Sequence, residues 1–200
     1  MTLYLRSRRA PAALAVAVAG WAAVWAAWPL LSSERDVEGP VVVLTVLLLV
    51  CAASATLGSP DVGLDRTAAL RWPWRRLVHE LVASGVLVGL LALTLASGAR
   101  FGPFGVVARD VAGLVGLAAL GAAVLGGDRA WLLPLGWTLP VVAGAVPDAG
   151  RAEVGRVLTW QLQEGHDRAS AVTAAVLALA GAAAYARLGP ARRDDTGRAS

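Results

Sequence analysis

The chain has no lysine: all 18 of its basic side chains are arginine. A phosphate-binding P-loop needs its Lys and a Schiff-base enzyme needs a free amine, so the chain does not hydrolyse ATP by a Walker mechanism alone. It holds one cysteine, Cys51, inside an apolar run. That rules out an intrachain disulfide and a cysteine metal cage, and leaves a small packing residue as the plain reading. Histidine is scarce too. His79 and His166 fall on opposite sides of the topology derived below, and no HExxH or GxSxG pattern occurs, so neither a metal, a cofactor nor a catalytic group is expected. No acid lies in the middle of an expected span, which speaks against a proton-coupled transporter. Charge is sparse, at 16% against roughly 25% in soluble domains.

What is present is apolar. Of 200 residues 57% are hydrophobic, and the mean hydropathy is +0.62, the balance of an integral membrane protein. A helix needs roughly 20 apolar residues to cross the hydrocarbon core, with about 17 to 25 tolerated. Six stretches qualify or nearly do: Pro11 to Leu31, Val41 to Leu57, Leu77 to Ala96, Val106 or Val111 to Leu125, Trp131 to Val146, and Ala169 to Ala186. The first follows "RSRR", as a signal peptide would, but its apolar part exceeds the roughly 7–15 residues of an h-region, which favours an uncleaved span.

Positive charge is retained on the cytoplasmic side. With the N-terminus inside, the inner segments hold twelve arginines (6, 8, 9, 66, 71, 75, 76, 129, 187, 192, 193 and 198) and the outer ones six (35, 100, 109, 151, 156 and 168). The expected fold is all-α: a multi-pass cell-membrane protein, one bundle of six transmembrane helices over residues 1–190 with both termini cytoplasmic. A charged tail, 191–200, has little to bury and is expected to be disordered.

Small residues let helices approach in lipid. Gly85 and Gly89 in the third span, Ala112, Gly113, Gly116 and Gly121 in the fourth, and the Ala-rich sixth around Gly181 are expected at helix contacts, although a biased codon usage would also produce them. Trp21, Trp25 and Trp28, at i, i+4 and i+7, share one side of the first helix, either as packing residues or against a lipid-like substrate. Pro134, Gly136 and Pro140 should bend or open the fifth span, and place Trp137 and Thr138 beside a possible path. Trp21, Trp25, Trp137 and Thr138 are thus the candidate path residues. Arg109 and Asp110 open the fourth span, at the outer interface, which is the cheaper location and is favoured by the turn-like "FGPF" before them, or else paired within the membrane. Across 147–168, Val154, Val157, Leu158 and Leu162 recur opposite Glu153, Arg156, Thr159 and Gln163, as in an interfacial amphipathic helix or a re-entrant lid, with Trp160 near the headgroups.

A charged stretch between the second and third spans, "SPDVGLDRTAALRWPWRR" (59–76), lies on the inner side. Ser59 can cap a helix that begins at Pro60, with Asp61 near its positive end, and Pro73 stops it. Trp72, Trp74, Arg75 and Arg76 are then inner membrane anchors at anionic headgroups.

Six spans, a cytosolic helix between the second and third, and an outer amphipathic segment before the sixth resemble the permease subunit of a type-2 ABC exporter. The stretch 59–76, "TWQLQ" and "AYARLGPARR" are similar to small permeases of the actinobacterial kind. The resemblance spans most of the chain, although its fourth and fifth spans are short. It implies export of an apolar or amphipathic substrate, a second permease copy or related permease, and a separate ABC ATPase touching Asp61, Leu64, Asp65 and Arg66. A non-transporting scaffold or accessory subunit is the alternative. The excess of positive charge, +4, is spread along the inner face without a binding module, so nucleic acid is not an expected partner.

Overall fold

Hydrocarbon offers no partner to a backbone amide, so apolar runs of this length bond within themselves as helices. The structure, a computed structural model, describes residues 10–58, 72–97, 99–146 and 153–191. In chain order the elements are α1 (Ala10–Leu31), α2 (Gly39–Ser54), α3 (Trp72–Ala92) with a 3-10 extension over Leu93–Ala96, α4 (Phe104–Leu125), a 3-10 turn over Gly127–Arg129, α5 (Leu132–Val142), α6 (Glu153–Leu158), a 3-10 turn over Trp160–Leu162, and α7 (Arg168–Leu188). Among the described residues there is no strand, and one isolated bridge joins Asp36 to Arg100.

Among the described residues, four helices are long and apolar enough to cross a membrane: Pro11–Leu31, Pro73–Ala96, Phe104–Leu125 and Arg168–Leu188. The second and fifth expected spans are shorter. α2 has 16 residues, and α5 has 11. At 1.5 Å per residue α5 rises only about 16 Å, roughly half of a hydrocarbon core. Its prolines act differently from the expected opening. Pro134 is the third residue of α5, among the first four whose amides have no acceptor within a helix, so it breaks nothing. Pro140 lies inside, and α5 stops two residues later at Val142, before Gly144 turns the chain at φ 71°.

α4 is the centre of the bundle and lies against α2, α3, α5 and α7. The glycines explain how α7 comes so close. A Cβ on Gly116 would strike the Leu177 carbonyl, and one on Gly181 would strike the carbonyl of Gly116, so the two backbones touch where they cross. The third span differs. A Cβ on Gly85 or Gly89 would meet nothing, so among the described residues this GxxxG pair has no packing neighbour.

The loops tie the helices at both ends. At one end Val37 N–H donates to the Arg100 carbonyl (2.9 Å) and Arg100 N–H to the Arg35 carbonyl (2.7 Å). At the other, the Tyr185 hydroxyl donates to the Leu57 carbonyl (2.9 Å), and Ala191 N–H to the Ala122 carbonyl (2.9 Å). Gly127 and Gly58 meet there backbone to backbone.

Candidate functional site

Arg109 and Asp110 sit on the second turn of α4, where the chain returns from α6 to α7. Arg109 Nε donates to Asp110 Oδ1 at 2.9 Å. Its Nη1 donates to the Glu164 carbonyl (3.1 Å) and to Ser170 Oγ (2.9 Å), and its Nη2 to the Gln163 carbonyl (3.1 Å). The side chains are 8% and 1% exposed, so this is a buried ion pair and not a solvated surface one. Arg109 uses its planar fork to hold the start of α7 and the segment before it against α4. The start of α7 is set by Asp167, whose carboxylate caps the helix by accepting from Ser170 N–H at 2.8 Å.

One turn beyond Arg109, Gly113 leaves room for a tryptophan. Trp160 lies against it, fully buried, and a Cβ on Gly113 would strike the indole. The expectation that Trp160 lies near the headgroups is therefore corrected: the missing side chain of Gly113 opens a slot in the core that the indole fills. Thr159 and Gln161 beside it are buried as well, whereas Val154, Val157, Leu158 and Leu162 are exposed. The stretch 153–162 re-enters the bundle beside the short α5. Gln161 Nε2 donates to Thr138 Oγ1 (2.9 Å), and Trp137 Nε1 to the Leu158 carbonyl (3.0 Å).

Between this returning segment, α2 and the loop 99–103 is a half-open cavity of about 550 Å³, within the usual range for a small-molecule site, roughly 300–1,000 Å³. Val42, Val43, Leu95 and Phe101 supply apolar wall, and Asp36, Arg100, Asp110 and Gln161 polar wall. Two of the residues that line it each hold a buried polar atom without a hydrogen-bond partner, Asp110 Oδ2 and Gln161 Oε1.

Comparison of the chain with models of protein families, with curated proteins and with solved structures finds no match in any of the three.

The candidate path residues fall into two pairs, one on α1 and one on α5. Trp21 and Trp25 stack, with centroids 6.1 Å apart, and Trp25 Nε1 donates to Ser97 Oγ (2.8 Å). Trp137 and Thr138 hold the returning segment, and none of the four lines the chamber. Trp28, the third of the stripe, is buried and donates to the Glu34 carbonyl (2.8 Å).

Asp61, Leu64, Asp65 and Arg66 lie outside the described residues, as does the side chain of Trp72. Trp74 and Arg75 are exposed, but Arg76 docks on the end of α7. Its guanidinium lies against Gly189 and its Nη1 donates to the Ala186 carbonyl at 3.4 Å, a cation on the negative end of a helix. Glu80 is buried. His79 Nε2 and Thr56 Oγ1 are hydrogen-bonded at 2.9 Å. A second, smaller apolar cavity of about 160 Å³ lies against His79 between α1, α2 and α3.

Sequence reasoning singled out Arg109 and Asp110, with pairing only as the alternative to an outer-interface location, and missed Asp36, Arg100, Phe101 and Gln161. The one available signal was Gln161, an uncharged polar residue inside the apolar phase of "TWQLQ".

Proposed function

We propose that the chain is a multi-pass subunit of a cell-membrane exporter, and that the chamber beside Asp110 is its recognition site for an apolar or amphipathic substrate. In this reading α2 and its following turn, and α5 with the returning segment, complete six crossings, and both termini are cytoplasmic. The chamber then faces outward and the 59–76 stretch faces the cytoplasm. The observation that carries the reading is the chamber itself: a mostly apolar space with a few convergent polar groups, at the end of the bundle opposite Leu57 and Gly58, from which that stretch continues. A chain without Lys has no P-loop, so a separate ATPase supplies the energy, docking through Asp61, Leu64, Asp65 and Arg66. A second permease copy or related permease completes the assembly, and Trp74 and Arg75 rest on anionic lipid.

A scaffold reading is favoured by a different observation. α4 and α7 are closed at Gly116 and Gly181, while the smooth Gly85–Gly89 face of α3 has no partner among the described residues and would suit a neighbouring membrane helix.

Affinity purification of the C-terminally tagged protein from native membranes in mild detergent separates the two. Recovery of a P-loop ATPase, lost when Leu64 and Asp65 are both replaced by Ala, is expected of the exporter subunit. Recovery of membrane proteins alone, with no ATPase, would replace that reading with the scaffold.

A further inference from the structure

The chamber has acceptors without donors. Asp110 is 1% exposed and spends Oδ1 on Arg109, while Oδ2 has no partner. Arg109 does not serve it, because the guanidinium is engaged by Asp110 Oδ1, Ser170 Oγ and the carbonyls of Gln163 and Glu164. Gln161 is 2% exposed, gives its amide nitrogen to Thr138, and keeps Oε1 without a partner. Both residues line the same cavity. Buried polar atoms in folded proteins are overwhelmingly hydrogen-bonded, and leaving one unmade costs about 1–3 kcal/mol, more if it is charged. The unmet demand is for hydrogen, from an occupant.

We infer that the chamber binds a ligand with a primary ammonium group on an apolar body, the ammonium donating to Asp110 Oδ2 and Gln161 Oε1 while the body packs on Val42, Val43, Leu95 and Phe101. An ammonium carries three donors, enough for two acceptors, whereas a hydroxyl has one and a quaternary ammonium none. A hydrogen bond to an ionised acceptor is roughly twice as strong as a neutral one. Asp110 is already paired with Arg109, and Asp36 is matched by Arg100, so the wall carries no net charge, and selection rests on the two acceptor oxygens: an anionic ligand would bring acceptors to acceptors and is disfavoured.

The inference rests on the chamber being a recognition site, and its test needs neither the ATPase nor transport. Full-length protein in lipid nanodiscs is titrated with 2-phenylethylammonium, 2-phenylethanol and 3-phenylpropanoate, with binding read by calorimetry and by saturation-transfer NMR. The ammonium is expected to bind about tenfold more tightly than the alcohol, and the carboxylate not at all. Asp110→Asn should abolish that preference. Leu95→Trp, at a half-exposed wall position, should block binding with the thermal midpoint unchanged, and so tests the site even where Asp110→Asn fails to fold. Equal binding of amine and alcohol, ammonium binding that survives both substitutions, or no binding at all would each overturn the inference. In the last case ordered water satisfies the two oxygens. ATPase recovery in the purification above stands or falls independently of these outcomes.

Discussion

α4 and α1 are each 22 residues long and nearly equally apolar, yet 72% of the α4 window is buried within the protein and only 11% of the α1 window. Lipid is as apolar as a leucine side chain, so an apolar run reports that a helix can cross and says nothing of what it touches. Placement of small residues decides that. α4 carries Gly113, Gly116 and Gly121 where an indole, the backbone of α7 and the Ala130 carbonyl respectively press on it, while α1 presents Leu14, Val16 and Val18 outward.

The sharpest way to break this contrast is Gly116→Leu. The space its side chain needs is held by the Leu177 carbonyl and the Ala178 backbone, which cannot rotate aside as a side chain can. Loss of the monodisperse protein in detergent chromatography is expected, whereas Ala15→Leu on the exposed face of α1 should change stability by no more than about 0.5 kcal/mol. An unchanged unfolding midpoint for Gly116→Leu would mean that α4 and α7 do not cross there.

Next in size is Arg109→Ala. It leaves Asp110 buried without its counter-charge and two carbonyls without a donor, a loss of about 3–5 kcal/mol by the usual cost of breaking a buried pair. Arg109→Lys keeps the charge but not the fork, and should recover only part of it. SDS titration of the folded protein reads both, with exposed Arg75→Ala as the near-neutral reference.

A smaller effect belongs to Gly113→Ala, whose methyl must displace the Trp160 ring, at about 1–3 kcal/mol. Trp160→Phe in the same chain should return part of that cost, because a smaller ring tolerates the methyl. Additive losses in the double-mutant cycle would show that the two residues do not share the slot.

These residues also mark where sequence reasoning succeeds and where it stops. Helix order was legible because each apolar run must satisfy its own backbone. The shared side of Trp21 and Trp25 was legible from i, i+4 spacing, whereas the buried Arg109–Asp110 pair was only the alternative to an interfacial location. The direction of Trp160 was not. Helical phasing put Val154, Val157, Leu158 and Leu162 together on one face, and that face is exposed. In a membrane protein an apolar face fits lipid as well as it fits a core. The helix also ends at Leu158, so the phase shifts in the following 3-10 turn and takes Trp160 and Gln161 inward. Nor was the chamber legible. Asp36, Arg100, Asp110 and Gln161 come from four separate segments, joined by loop pairing at Val37 and Arg100 and by the Arg109 clamp, and no local pattern announces either.

The smallest effect tests whether the partner of α4 is held by its end or by its glycine crossing. Asp167 caps α7, and the Ser170 backbone amide, first among several favourable contacts, holds its carboxyl below the ordinary range. Arg156 adds a distant attraction at 3.9 Å. Because the folded value is the lower one, the stabilisation is complete above the unfolded value of about 3.9 and is lost as the pH falls through the folded value. Asp167→Ala should therefore lower the thermal midpoint at pH 7, and the gap from the parent protein should narrow at pH 3. It should remain far smaller than the loss from Gly116→Leu, because a helix pinned by backbone contact at its centre can fray at its first turn without leaving its neighbour. A gap of constant size across that range would mean that Asp167 acts by shape alone, and that the ionised cap contributes nothing to the α4–α7 pairing.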